Sequence, residues 1–78
     1  MSPIQLFDPA SGSYTYLLSD PATREALIID PVDSQLERDL ATLERLGLRL
    51  RWTVEPHAHD DHITSAARLV ELTGAQSA

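Results

Sequence analysis

Apolar and polar positions change period several times along this chain, and each change marks an element. Tyr14–Leu18 is rich in aromatic and β-branched residues and predicts a strand, with Gln5–Phe7 a shorter one before the Pro/Ser/Gly loop Asp8–Ser13. The turn signal Asp20-Pro21 separates Tyr14–Leu18 from the apolar run Ala26–Ile29, so these two strands predict an antiparallel hairpin. Asp30-Pro31 stops the second strand. Leu36, Leu40, Leu43 and Leu46 then recur at helical spacing, with Glu37, Arg38, Asp39, Glu44 and Arg45 largely off that stripe. Ser34 and Glu37 have the spacing of a capping box, and Gly47 stands where a helix-ending glycine belongs.

After that helix, Leu48, Leu50, Trp52 and Val54 alternate with Arg49, Arg51 and Thr53, which is period two and predicts a strand. Ile63–Thr73 predicts a second helix, with Ile63, Ala67 and Val70 on one face and Gly74 closing it. The order is ββαβα, an α/β arrangement with a three- or four-stranded sheet. Two helices cover one face of such a sheet and leave the other open. The expectation is therefore that another chain, or a second copy, covers that face, or that residues 1–78 are the front part of a larger domain.

Composition narrows the function. The chain has 78 residues, 42% apolar and 23% charged, which is the balance of a globular domain. A net charge of −6 supplies no basic patch to replace phosphate counterions, so nucleic acid is excluded as the expected partner. The absence of cysteine excludes disulfides and thiolate ligands, leaving nitrogen and oxygen for any metal site. The N-terminus lacks a basic region followed by an apolar run, and no apolar stretch approaches the roughly 20 residues of a membrane span. The expectation is a cytoplasmic protein without a membrane partner.

All three histidines fall in one stretch, Glu55–His62, which reads EPHAHDDH. In an extended segment, side chains at i and i+2 point the same way, so His57 and His59 are aimed at one metal ion. Asp61 and His62 come as the backbone turns into the second helix and point towards a second position. Imidazole with carboxylate suits zinc, iron or manganese. Asp60 reads as a helix N-cap or bystander, because negative charge is favourable in a first helical turn. The stretch lies between a strand's C-terminal end and a helix N-terminus, where α/β folds bind ligands.

HAHDDH in this context resembles the His-x-His-x-Asp-His signature of the metallo-β-lactamase superfamily. Within it the whole chain resembles the N-terminal third of the persulfide dioxygenases, through QLFDPASGSYTYLLSD, ALIIDPV, LERLGLRLRWTVE and HITSAARL. The resemblance implies the N-terminal portion of an αββα sandwich, a mononuclear iron(II), and oxidation of glutathione persulfide to sulfite and glutathione. It makes His57 an iron ligand. His59, Asp61 and His62 then surround it, and Asp61 and His62 orient the bound substrate or water as catalytic groups. Asp30 resembles the family's aspartate that braces the metal loop.

The family's other two iron ligands lie further downstream than this sequence reaches, so the 78 residues alone are expected to be an incomplete site. The alternative within the superfamily is a hydroxyacylglutathione hydrolase of the glyoxalase II type. There His57 and His59 hold one zinc, Asp61 and His62 the other, and a bridging water attacks a thioester. ITS follows His62 where that family shows Gly-Gly, which favours the dioxygenase. Pro56 and Asp60 depart from the superfamily's usual Thr and small or apolar residues. A third reading, from a different class, is a non-catalytic metal-binding fragment or assembly module.

Overall fold

The strand signals at the start of the chain produce two consecutive hairpins. In the computed structural model, which describes residues 3–55 and 66–77, β1 (Ile4–Asp8) pairs antiparallel with β2 (Ser13–Ser19), and β2 pairs antiparallel with β3 (Glu25–Ile29). A 3-10 turn (Asp33–Gln35) leads into α1 (Leu36–Leu46), which returns the chain to β4 (Arg49–Val54), parallel to β3. Beyond residues 56–65, α2 (Ala66–Thr73) leads to β5 (Gln76–Ser77), parallel to β4. The sheet has five strands in the order β1-β2-β3-β4-β5. That is more than the three or four expected from the sequence, because a two-residue strand is too short to show a period.

One face of this sheet carries the core. Leu17, Ala26, Ile28 and Leu50 from the strands pack with Leu36 and Leu43 of α1, Leu69 of α2, and Ala75. Each fully buried leucine contributes roughly 1.5–3 kcal/mol. Both helices cover the same face, as successive right-handed crossovers advancing in one direction require.

Along α1 the expected stripe is present. Leu36 and Leu43 are buried, and Leu40 and Leu46 pack against the cluster half-buried. Asp39, expected off the stripe, is buried instead. It stands three residues after Leu36 and four before Leu43, so it shares their face. Its Oδ1 accepts from the Nε and Nη2 of Arg38 at 3.3 and 3.1 Å. Burial nevertheless outweighs the guanidinium and raises its carboxyl above the ordinary aspartate value.

The ends of α1 differ in outcome. Gly47, left-handed at φ 66°, closes the helix in a Schellman motif, the N–H groups of Gly47 and Leu48 donating to the carbonyls of Glu44 and Leu43. The capping box does not form. The helix starts at Leu36, Gln35 makes no side-chain cap bond, and the Ser34 hydroxyl lies 3.5 Å from the Asp8 carboxylate.

β4 departs most from its sequence pattern. Leu50 pairs with Ala26 and Trp52 with the next residue, Leu27, so Arg51 is an extra residue in the strand. The strict alternation predicted for Leu48–Val54 is broken there. Leu50 and Thr53 face the helices and are buried, whereas Trp52 turns to the opposite face at 42% exposure. Thr53 Oγ1 is buried without a hydrogen-bond partner among the described residues. Arg51 forms an ion pair with Glu25 at 3.2 Å. In α2 the core contact is Leu69, wholly buried, while Val70 is only half-buried. Ile63 and the side chain of Ala67 lie outside the described residues.

By register, Phe7, Tyr14, Tyr16, Leu18, Leu27, Ile29, Trp52 and Val54 share the face away from the helices. The Phe7 and Tyr14 rings are in contact, with centroids 5.0 Å apart. Phe7, Tyr14, Tyr16 and Trp52 are all more than a third exposed. Among the described residues nothing covers this apolar face, and a large exposed apolar patch favours association in water. The isolated 78-residue chain is therefore expected either to bind a hydrophobic dye strongly or to self-associate. Sedimentation as a tight monomer that binds no dye would contradict this.

Candidate functional site

Two antiparallel pairings make β1 run in the same direction as β3, and β4 is parallel to β3. The last residues of these three strands, Asp8, Ile29 and Val54, consequently lie at one end of the sheet, with Asp30 and Glu55 just beyond. This is the C-terminal end of the parallel strands, the usual ligand end of an α/β sheet. The EPHAHDDH stretch begins here, directly after β4, and α2 begins after it. Pro56, His57, His59, Asp60, Asp61 and His62 lie outside the described residues, and so does the expectation that they share one or two ions. Among the described residues no group of three or more His, Cys, Asp or Glu side chains is placed to hold a metal. The donor set in the sequence is itself suited to one, since three imidazoles and two carboxylates offer nitrogen and oxygen to a divalent ion.

Asp30 stands at this end, directly after β3. Its φ of 54° is left-handed, a conformation that costs a residue with a side chain roughly 1–2 kcal/mol and that aspartate tolerates better than most. Hydrogen bonds at both ends of its backbone suit this conformation. Its N–H donates to the Val54 carbonyl at 2.9 Å, extending the link between β3 and β4 by one residue. Its own carbonyl accepts from the Thr15 hydroxyl at 2.9 Å. The Asp30 Oδ1 is buried, and Pro31 and Val32 behind it are buried too. Asp30 follows the end of β3, as expected, and is half-buried as a whole residue; the loop that the resemblance has it brace lies outside the described residues. Thr15 was not singled out by sequence reasoning; the only signal was a hydroxyl inside an otherwise apolar and aromatic strand.

Asp8 was likewise not singled out, because it reads as the start of a loop. It is almost wholly buried. Its carboxylate accepts from Ser11 Oγ at 2.7 Å, Gln35 Nε2 at 3.0 Å and the Ala10 N–H at 3.3 Å. These bonds tie the β1–β2 turn to the 3-10 turn that follows Asp30. The Ser11 hydroxyl first, and Gln35 next, lower its carboxyl below the ordinary aspartate value against the opposing effect of burial. Arg38 supports the same corner by donating from Nη1 to the Phe7 carbonyl at 2.8 Å. On the other side, Arg68 of α2 approaches Asp33 at 3.7 Å. That pair is largely exposed, so it steers α2 and stabilises little.

This geometry has close counterparts. The chain is similar to the mitochondrial persulfide dioxygenase ETHE1 of Bos taurus, 49% identical over 74 residues that make up 94% of this chain and 29% of that protein. The crystal structure of ETHE1 from Myxococcus xanthus superposes on it with a TM-score of 0.93 and 47% identity, over 99% of this chain and 34% of that one. A metallo-β-lactamase from Staphylococcus aureus superposes with a TM-score of 0.86 and 25% identity, over 99% of this chain and 23% of that one. No family model matches the chain. The chain belongs to the metallo-β-lactamase superfamily. Within it, the sequence corresponds to the N-terminal segment of a persulfide dioxygenase-like protein, and it spans a third or less of the length of the relatives it matches.

The Asp8 corner yields a pH test. The folded carboxyl is lowered relative to the unfolded chain, so its contribution is full above the ordinary aspartate value and is lost as pH falls through the lowered folded value. The stability difference between the parent and Asp8→Asn is therefore expected to be largest at neutral pH and to shrink on acidification below the ordinary aspartate range. Urea unfolding across that range measures it. A difference that grows on acidification would contradict the assignment.

Proposed function

We propose that this chain is the part of an iron(II)-dependent persulfide dioxygenase that carries the first metal ligand, acting on glutathione persulfide. The observation that supports this most is the likeness to ETHE1 over nearly the whole chain, with His-x-His-x-Asp-His directly after the C-terminal end of β4. In this reading His57 is a metal ligand and His59, Asp61 and His62 surround it. Iron(II) is preferred to zinc, because a bound iron would supply the one-electron chemistry that lets dioxygen react with a spin-paired sulfur compound.

The reaction consumes one persulfide, one dioxygen and one water and yields glutathione and sulfurous acid, which ionises by releasing protons. Asp61 and His62 are the catalytic candidates for holding the water and accepting those protons, since a carboxylate accepts hydrogen bonds and an imidazole exchanges a proton near neutrality. Asp30 braces the loop through its fixed position beside the end of β4. The proposed partners are a small thiol or persulfide substrate and a second polypeptide, either a further copy or a complementing chain, on the aromatic sheet face. Among the described residues no helix is long and apolar enough to cross a membrane. A cytoplasmic location is proposed, although the bovine relative is named as mitochondrial.

Metal titration by calorimetry checks the roles within the loop. His57→Ala is expected to weaken divalent-ion binding by about 100-fold, and Asp60→Ala by less than about 10-fold, the range of a residue beside the ligands. Equal losses would sink this division of roles. Oxygen consumption with glutathione persulfide and added iron(II) checks the reaction. The 78 residues alone are expected to show no turnover, because only His57 of the family's three iron ligands falls within them. A chain extended to the length of the relatives is expected to turn over and to lose activity on His57→Ala. Turnover by the 78 residues at the rate of the extended chain would refute the incomplete-site reading, and an extended chain that binds iron yet consumes no oxygen would refute the reaction.

A further inference from the structure

The sheet face turned away from the helices carries both halves of a contact. At one corner, where β1 stops and β2 starts, the rings of Phe7 and Tyr14 meet, each 47% exposed. Towards the opposite end, where β3 and β4 start, Leu18, Leu27 and Trp52 line a shallow cleft with Glu25 and Arg51 at its rim. Projecting rings and a receiving cleft on one surface suit a two-fold contact, in which residue i of each copy meets residue j of the other. Charge points the same way. Asp20 and Glu25 stand at that end with Arg49 and Arg51, so the described charges of the face balance although the chain carries −6. A strongly basic or acidic partner finds no opposite field there, whereas a copy meets no like-charge barrier. Size also fits. The four longer strands have five to seven residues each. At ~4.8 Å between strands and ~3.3 Å per residue they span roughly 400 Å² in projection. Side chains standing on that area bring its accessible surface towards the ~800 Å² per partner that a specific dimer buries.

We propose that this face joins two copies of the 78-residue chain, sheet against sheet, about a two-fold axis that runs diagonally across it. Each copy's Phe7–Tyr14 pair then lies over the other's Trp52 cleft. The two sheets cross near a right angle, which is one of the two ways in which sheets stack. The helices stay outside, so the dimer has two sheets within and a helix layer on either side. Glu25 and Arg51 of each copy flank the entering rings. The exposed aromatic rings gain most from such burial. The inference rests on the reading above in which a second polypeptide covers this face, and names a further copy as that polypeptide. It does not depend on the metal or the reaction.

Sedimentation equilibrium of the whole 78-residue chain over a concentration series tests this, alongside the emission of Trp52, the only tryptophan in the chain. A closed two-copy species is expected, with the emission moving to shorter wavelength as it forms. Phe7→Glu is expected to weaken association at least about 30-fold, the scale of a central aromatic anchor. Ala41→Glu, which adds the same charge at an exposed position of α1, is expected to leave association unchanged. Should Phe7→Glu fail to fold by circular dichroism, Tyr14→Gln takes its place, with a loss in the same direction. A monomer at every concentration, growth beyond two copies, or equal effects of Phe7→Glu and Ala41→Glu would each overturn the proposal. A monomeric chain that binds the remaining polypeptide of a longer relative would give the face to a complementing chain and overturn this inference alone. A monomer that binds neither that polypeptide nor a hydrophobic dye would overturn the covered-face reading with it.

Discussion

The parallel pairing of β3 with β4 decides where everything else goes. Parallel neighbours need a crossover, and α1 supplies it by crossing one face of the sheet. A second crossover of the same hand puts α2 on that face as well. Leu17, Ala26, Ile28 and Leu50 are therefore drawn to the helices, and the aromatic side chains of β1, β2 and β4 are left on the other side. The same pairing sets the ends of β3 and β4 next to each other, so that Asp30 and the start of EPHAHDDH are neighbours although they are far apart in sequence.

Around that junction the chain commits its polar groups to backbone geometry. Thr15 and Val54 hold the Asp30 peptide from two sides, and Asp8 ties the adjacent turns together. The Thr15 and Asp8 side chains stand in strands that are mostly apolar or aromatic, and each bonds to a partner distant in the chain. A corner built this way costs desolvation of several polar groups, which is offset only because nearly all of their bonds are made. The result is a hydrogen-bonded frame at the sheet end where β4 stops and the EPHAHDDH stretch begins.

The bulge at Arg51 affects the two faces differently. It lets Leu50 and Thr53 both reach the core, at the cost of a buried threonine hydroxyl with no bond among the described residues. It also turns Trp52 to the aromatic face, beside Leu27. One inserted residue thus enlarges the face that stands open among the described residues. The relatives are longer: this chain spans 29% of the bovine one and 34% of the Myxococcus xanthus one.

The sequence by itself determined most of the local elements. The β2–β3 hairpin, the leucine stripe of α1, its glycine stop and the position of HAHDDH between a strand and a helix depend on neighbours within a few residues, so periodicity and turn residues reveal them. The family, too, was legible, since the motif and its flanking segments are contiguous. Tertiary structure alone decided the rest. Asp39 is buried because of where α1 lies on the sheet, and the side chains of β4 change faces because β3 and β4 pair with a shift between Ala26 and Leu27. Ser34 turns to Asp8 and leaves the cap, and β5 exists only because β4 offers an edge. Thr15 meets Asp30 through a register that joins positions fifteen residues apart. In each case the deciding partner is distant along the chain, and a reading confined to local pattern has no access to it.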